Sequence, residues 1–372
     1  MIVDILEGFS QPRFLTDYWQ KKPCLINNWL RPQPLPLTEL LSLAEAHELP
    51  TRLVSGSQQR SDWRLQQGPL AIEDLPAGQT DWTILVQEMD KASPAVASLL
   101  DQFRFLPDWA IDDIMISDAV DGGSVGPHVD AYDVFLVQAG GRRRWQLAEN
   151  FDPATDERFE LKLLKSWQPE TEIIVGPGQA LYLPAGIAHH GTAIDHCQTW
   201  SVGLRTPSGP ELMFALAEAL AMEGTEGRRM SLSGLDGEMP SRLNTDQIAD
   251  IRGLLAEAIA LDDTTLSQLS AAYLSRWRLW QADSEPLESD QVLQWLRDGV
   301  SVPLAPTARL ALADGDDGHA LFVNGEAVAC TSKMAEALAS ERRLGPDWAE
   351  VPEAVEQLCD VDALTMPERI ND

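Results

Sequence analysis

Between Gly122 and His189 the chain offers two histidines and a carboxylate from segments rich in β-forming residues. His128-Val129-Asp130 places its two polar side chains two positions apart. On a strand, residues i and i+2 project to the same face, so both can point into one barrel. Far along the chain, Pro184-Ala-Gly186-Ile-Ala-His189 supplies the second imidazole. Two histidines and one carboxylate leave open positions around Fe(II) for oxygen chemistry. His128 with Asp130 does not decide the matter alone: six His and 32 Asp in 372 residues give about half of one such pair by chance.

The surroundings are what make the pattern specific. Ile114–Ser117, Val134–Gln138, Arg144–Leu147, Glu172–Val175, Ala180–Leu183 and Trp200–Leu204 are short β-type runs. Gly122-Gly123, Gly140-Gly141 and Gly176-Pro-Gly178 punctuate them. Many short strands between such turns predict a sandwich or jelly-roll barrel. Before them, the first hundred residues read mainly as helix and loop, with helices at Phe14–Trp19 and Leu37–His47.

After Arg205-Thr-Pro207 the strands give way to helices. Glu211–Glu223 is apolar around most of its circumference and must bury itself, either within the chain or against a second copy; a dimer interface is the favoured reading. Asp246–Ala260 is amphipathic. From about Arg276 the pattern mixes helix and hairpin. Arg309–Ala313 and His319–Val323 read as strands joined through Asp314–Gly318, and Asn324-Gly325 signals a further tight turn. Helices are expected at Asp290–Leu296, Lys333–Ser340 and Glu353–Cys359. The expected domains are therefore a mainly β catalytic domain over 1–206, a helical region over 207–275 and a winged-helix-like α+β domain over 276–372.

Charge narrows the partners. A net charge of −30 disfavours nucleic acid and anionic membranes and favours a cationic partner. With 22 Arg, 6 Lys and 32 Asp, adaptation to high salt is an equally open explanation. Winged helices usually read DNA, yet residues 280–372 hold 19 acidic and 6 basic side chains, the wrong sign for gripping phosphates. Cys24, Cys197, Cys330 and Cys359 form no Cys-x-x-Cys pair and read as free thiols. No run of 18 apolar residues predicts a membrane span, and Met1-Ile-Val-Asp4 lacks the basic start of a secretory signal. A cytoplasmic location is expected.

Gly122-x5-His128 and Gly178-x5-Pro184-x-Gly186-x2-His189 resemble the two metal motifs of the cupins, which implies a double-stranded β-helix. His190 is the alternative ligand. Neighbours on a strand face opposite ways, and the Pro-x-Gly-x-x-His spacing selects His189. Cupins with four protein ligands carry a Glu soon after the first pair, where this chain has Asp133 and Val134. Three ligands leave room for a chelating 2-oxo acid and O2. Arg143 shares strand parity with Trp145 and Leu147, so if those face inward it does too, and a buried guanidinium needs an anion. The far carboxylate of 2-oxoglutarate suits its fork. An internal acidic partner, or three solvated arginines at positions 142–144, is the competing reading. Ser117 could donate a hydroxyl to the same ligand.

Tyr18–Pro23, Gly126–Phe135, Gly141–Trp145 and Leu181–His189 together resemble the bacterial ribosomal oxygenases. These are cupin-like 2-oxoglutarate enzymes of the Jumonji-C type. The resemblance covers most of the chain and is strongest over Ile114–Arg205. It implies hydroxylation of the β-carbon of an arginine in a large-subunit ribosomal protein, number sixteen in the bacterial scheme. It further implies iron held by His128, Asp130 and His189, co-substrate held by Arg143 with help from Ser117, and a homodimer. Gln179, where many relatives have an acidic residue, departs from the pattern. Asp118 and Asp121 are candidate contacts for the substrate guanidinium, with solvated turn residues as the plainer reading. Two alternatives stand beside this: the same chemistry on a histidine or asparagine, or a demethylase; and a non-catalytic regulator with a cupin sensing domain.

Overall fold

The structure is a computed structural model describing residues 1–222, 227–232, 243–276, 287–315 and 318–367. The chain divides into two compact units, Met1–Thr206 and Pro207–Asp372.

The strands of the first unit, in chain order, are β1 (Asp4–Leu6), β2 (Cys24–Asn27), β3 (Thr51–Ser55), β4 (Arg64–Gln67), β5 (Trp82–Val86), β6 (Ile111–Ala119) and β7 (His128–Val129). They continue with β8 (Asp133–Gly140), β9 (Arg143–Ala148), β10 (Thr171–Val175), β11 (Gln179–Leu183), β12 (Ala188–Ala193) and β13 (Cys197–Leu204). Nine of them make a large sheet in the order β1-β2-β11-β8-β13-β6-β5-β3-β4, and four make a small one in the order β10-β9-β12-β7. The period-two alternation of β8 decides how the layers stack. Val134 and Leu136 point inward, where they pack with Trp145 and Leu147 of the small sheet. Phe135 and Val137 point outward onto helical residues such as Phe14 and Leu40. Two sheets with a shared apolar interior form the expected jelly-roll barrel, and the helices cover the outer face of the large sheet.

The helix Leu37–Ala46 lies where the sequence predicts it, and the one expected over Phe14–Trp19 is found slightly earlier, at Gln11–Asp17. The first hundred residues are mainly helix and loop, as read, but they also hold five short strands, β1 to β5, that the reading missed. Trp82–Val86 shows one cause. All five of its residues are buried, so the run shows no polar alternation and carries no periodic signature of a strand.

In the second unit, helices Gly209–Met222, Thr245–Ala258 and Asp263–Arg276 precede helix Ser289–Arg297 and the strands Leu310–Gly315, Gly318–Val323 and Glu326–Val328. Asn324 and Gly325 both have positive φ, 51° and 99°, as a tight hairpin turn requires. Helices Ser332–Glu341 and Pro352–Asp360 close a core that includes Val292, Leu296, Leu321, Leu338, Trp348 and Leu358. The helix Asp263–Arg276 joins this unit through Ser275 Oγ, which accepts a bond from Gly325 N at 3.1 Å. Glu223, the expected end of the apolar helix, and Asp316-Asp317 of the expected connection lie outside the described residues. That apolar helix buries little of itself, with Met213 55% and Phe214 74% exposed. Among the described residues no helix is long and apolar enough to cross a membrane.

Candidate metal centre

Antiparallel pairing of β7 with β12 sets His128 directly opposite His189, and Asp130 follows at the end of β7. The loop before β12 is tied down where Gly186 N donates to Asp130 O at 2.9 Å. His128 Nε2 lies 3.9 Å from Asp130 Oδ1, and His189 Nε2 lies 3.5 Å from Asp130 Oδ2. The two imidazole rings are 4.2 Å apart at 60°. One ligand atom from each of the three residues falls within 4.8 Å of the others, a grouping that could hold a metal ion.

The backbone sets the tautomers. His128 Nδ1 lies 2.9 Å from Gly126 O and His189 Nδ1 lies 3.0 Å from Ile187 O. A carbonyl only accepts, so each Nδ1 carries the proton and donates, and each Nε2 keeps its lone pair for the cluster. Burial holds the His189 pKa down at about 4, helped by the neighbouring His128 and opposed by Asp130. Neutral imidazole is the form a metal binds.

His190 takes the other face of β12, as strand parity requires. It is buried, 3.4 Å from Thr192 Oγ1 and edge-on to Trp167 at 6.3 Å. It takes no part in the cluster.

The register of β12 against β9 pairs His189 with Leu147, Gly191 with Trp145 and Ala193 with Arg143. Arg143 therefore lies on the same inner wall as His189, four residue pairs along the ladder. It is buried, while Arg142 and Arg144 are exposed and Arg142 Nε bonds Asp195 Oδ2 at 3.0 Å. Arg143 Nη2 donates to Ser117 Oγ at 3.3 Å and approaches Cys197 Sγ at 3.6 Å; its Nε has no partner. No carboxylate pairs with it among the described residues, which removes the competing reading of an internal acidic partner. A buried guanidinium left with a hydroxyl and a thiol is incompletely satisfied. The donors present fit a carboxylate ligand. Ser117 is buried beside it and donates to Thr199 O at 3.4 Å.

Asp118 is neither a guanidinium contact at the mouth nor a solvated turn residue. It follows Ser117 on β6 and so faces the opposite side, where its buried carboxylate takes bonds from His196 Nε2 at 2.8 Å and Gln198 Nε2 at 3.1 Å. Asp121 is exposed. Gln179, the departure from the family pattern, is a turn fastener: Oε1 accepts from Gly176 N at 2.7 Å and Nε2 donates to Asn27 Oδ1 at 2.7 Å.

Sequence reasoning passed over Asp133, noting only the absent Glu there. Its buried carboxylate accepts from Tyr182 Oη and, at 3.4 Å, from Gln20 Nε2, while Gln20 N donates to Tyr182 Oη at 2.8 Å. Burial raises the Asp133 pKa against the pull of those bonds. The knot ties β8 and β11 to the turn after the first helix. Its only signal in the sequence was a lone Tyr within an apolar strand.

A JmjC domain model matches residues 98–212. The chain is 34% identical over 343 residues to a probable ribosomal oxygenase of Haemophilus influenzae, covering 86% of this chain and 82% of that one. It is 33% identical over 344 residues to the ribosomal protein uL16 3-hydroxylase of Escherichia coli, covering 88% of each. Among solved structures, the Escherichia coli ribosomal oxygenase YcfD in complex with cobalt and 2-oxoglutarate superposes with a TM-score of 0.77 at 29% identity. That match covers 96% of this chain and 97% of the other.

Proposed function

The chain belongs to the ribosomal oxygenases of the JmjC type, and from that premise we propose that it hydroxylates the β-carbon of an arginine in ribosomal protein uL16, using Fe(II), 2-oxoglutarate and O2. The observation that carries the reading is the clustering of His128, Asp130 and His189 on a barrel wall that also holds an unpaired buried arginine.

In this reading His128 Nε2, His189 Nε2 and Asp130 hold the iron, and the carbonyls of Gly126 and Ile187 hold the rings in orientation. Arg143 receives the far carboxylate of the co-substrate, and Ser117, by turning its hydroxyl away from Thr199 O, donates to the same group. The chemistry supplied by bound Fe(II) with 2-oxoglutarate and O2 is oxidative decarboxylation to succinate and CO2, which delivers one oxygen atom to a substrate C–H bond. Leu136, Leu147 and Leu183 line the apolar interior and keep water from the reacting groups. Sheet-borne ligands on a packed barrel are held more tightly than loop-borne ones.

The strongly acidic chain suits a basic ribosomal protein as substrate and a cytoplasmic site of action, with no direct contact to nucleic acid. The exposed Met213 and Phe214 support a homodimer through the helix Gly209–Met222. The test is incubation of the chain with Fe(II), 2-oxoglutarate and a uL16 fragment. Succinate release stimulated by the fragment and a gain of 16 Da on one arginine are expected. Succinate formed without any modified arginine rejects the substrate, and no succinate with any ribosomal protein rejects the activity.

A further inference from the structure

We infer that Trp145 is a second donor to the co-substrate, its indole N–H completing with Arg143 the seat for the far carboxylate of 2-oxoglutarate. The inference rests on the proposed function, since it concerns the same ligand. Trp145 lies between Arg143 and Leu147 on the inward face of β9, and its partner across the ladder is Gly191 of β12. Its ring centroid is 5.9 Å from that of His189, and the Arg143 guanidinium carbon lies 5.8 Å from the indole centroid. The indole thus stands midway between the metal cluster and the buried arginine.

Gly191 fixes the orientation of that ring. A Cβ on Gly191 would come within 2.6 Å of Trp145 Cζ3 and 2.7 Å of Cη2. The six-membered ring therefore occupies the space of the missing side chain, and the N–H edge lies on the far side of the indole from Gly191. Yet Trp145 Nε1 is buried and meets no acceptor, as is true of Arg143 Nε two residues back on the same face of β9. Buried indole N–H groups ordinarily find a partner. Two orphan donors on the same face of one strand suit one acceptor with two oxygens, and a carboxylate is such an acceptor. A 2-oxo acid that meets the metal at one end and Arg143 at the other must pass across Trp145.

Two ligands that differ only at the far end provide the test. Under anaerobic conditions, the Mn(II)-loaded full-length chain and its Trp145→Phe variant are titrated by calorimetry with 2-oxoglutarate and with 2-oxobutyrate, which lacks the second carboxylate. Losing one hydrogen bond to a charged group should weaken 2-oxoglutarate about tenfold to a hundredfold, with 2-oxobutyrate held within about twofold. Equal weakening of both acids, or of neither, overturns the inference and makes the indole a mere floor. Unmutated chain that binds 2-oxoglutarate no better than 2-oxobutyrate fells the co-substrate assignment itself, and this inference with it. Should the variant fail to fold, 15N-indole spectra of the unmutated Zn(II)-loaded chain decide, the Trp145 signal being assigned through its contact with Gly191. A downfield shift with 2-oxoglutarate but not with 2-oxobutyrate is expected, and an unmoved signal refutes the contact.

Discussion

Arg143 in the first unit and Arg309 in the second are equally hidden, at 3% and 4% exposure, but their surroundings differ. Arg309 is closed upon its own loop: Nη1 donates to Pro306 O and Thr307 O at 3.4 Å each, and its backbone N donates to Asn324 Oδ1 at 2.9 Å. Carbonyls of its own loop take up part of the guanidinium, and the backbone bond helps to close the hairpin. Arg143 has a hydroxyl, a sulfur and a spare N–H. Burial alone therefore does not separate a structural charge from a functional one. The inventory of acceptors narrows the choice, because an unfilled donor in a dry interior costs free energy that a ligand can recover.

The hardest blow to this contrast comes from the metal cluster. Asp130→Ala should cut succinate release by at least about a thousandfold and abolish Fe(II) binding without unfolding the chain; retained turnover would break the link between the two ends of the barrel wall. Next, Arg143→Met should raise KM for 2-oxoglutarate about a hundredfold with little loss of thermal stability, since its charge has no internal partner to strand. A lowered melting temperature with an unchanged KM would make Arg143 as structural as Arg309. The mirror experiment, Arg309→Met, should cost about 1–3 kcal/mol of folding stability, because it leaves carbonyls without donors. Kinetic constants for 2-oxoglutarate should stay put, and denaturant melts with steady-state assays read both.

The smallest effect extends the comparison to carboxylates. Asp113 is pushed up to about 7, chiefly by burial and next by Asp112, against the Glu88 N–H that bonds Oδ2 at 2.9 Å. Its folded pKa lies above the unfolded value of 3.8, so the stability it allows is fully present below 3.8 and lost as pH rises through about 7. Asp113→Asn keeps an oxygen for Glu88 N and removes that penalty. Its melting temperature should exceed the parent's by about 2–4 °C at pH 8, with the gain vanishing toward pH 4. A gain independent of pH would reject the assignment.

Much of the site could be read from the chain alone because strand alternation is a local, covalent property. The spacing of His128 and Asp130, and of Arg143, Trp145 and Leu147, already sorts inward from outward side chains, and the same parity separates His189 from His190. The fully buried β5 gave no such signal and was missed, as were the short strands β1 to β4. Cross-strand partners are a different matter, because register is set by packing between segments far apart in sequence. Only the folded barrel could give Asp118 to His196 and Gln198, knot Asp133 to Tyr182, and bring His189, Trp145 and Arg143 onto alternate rungs of one wall.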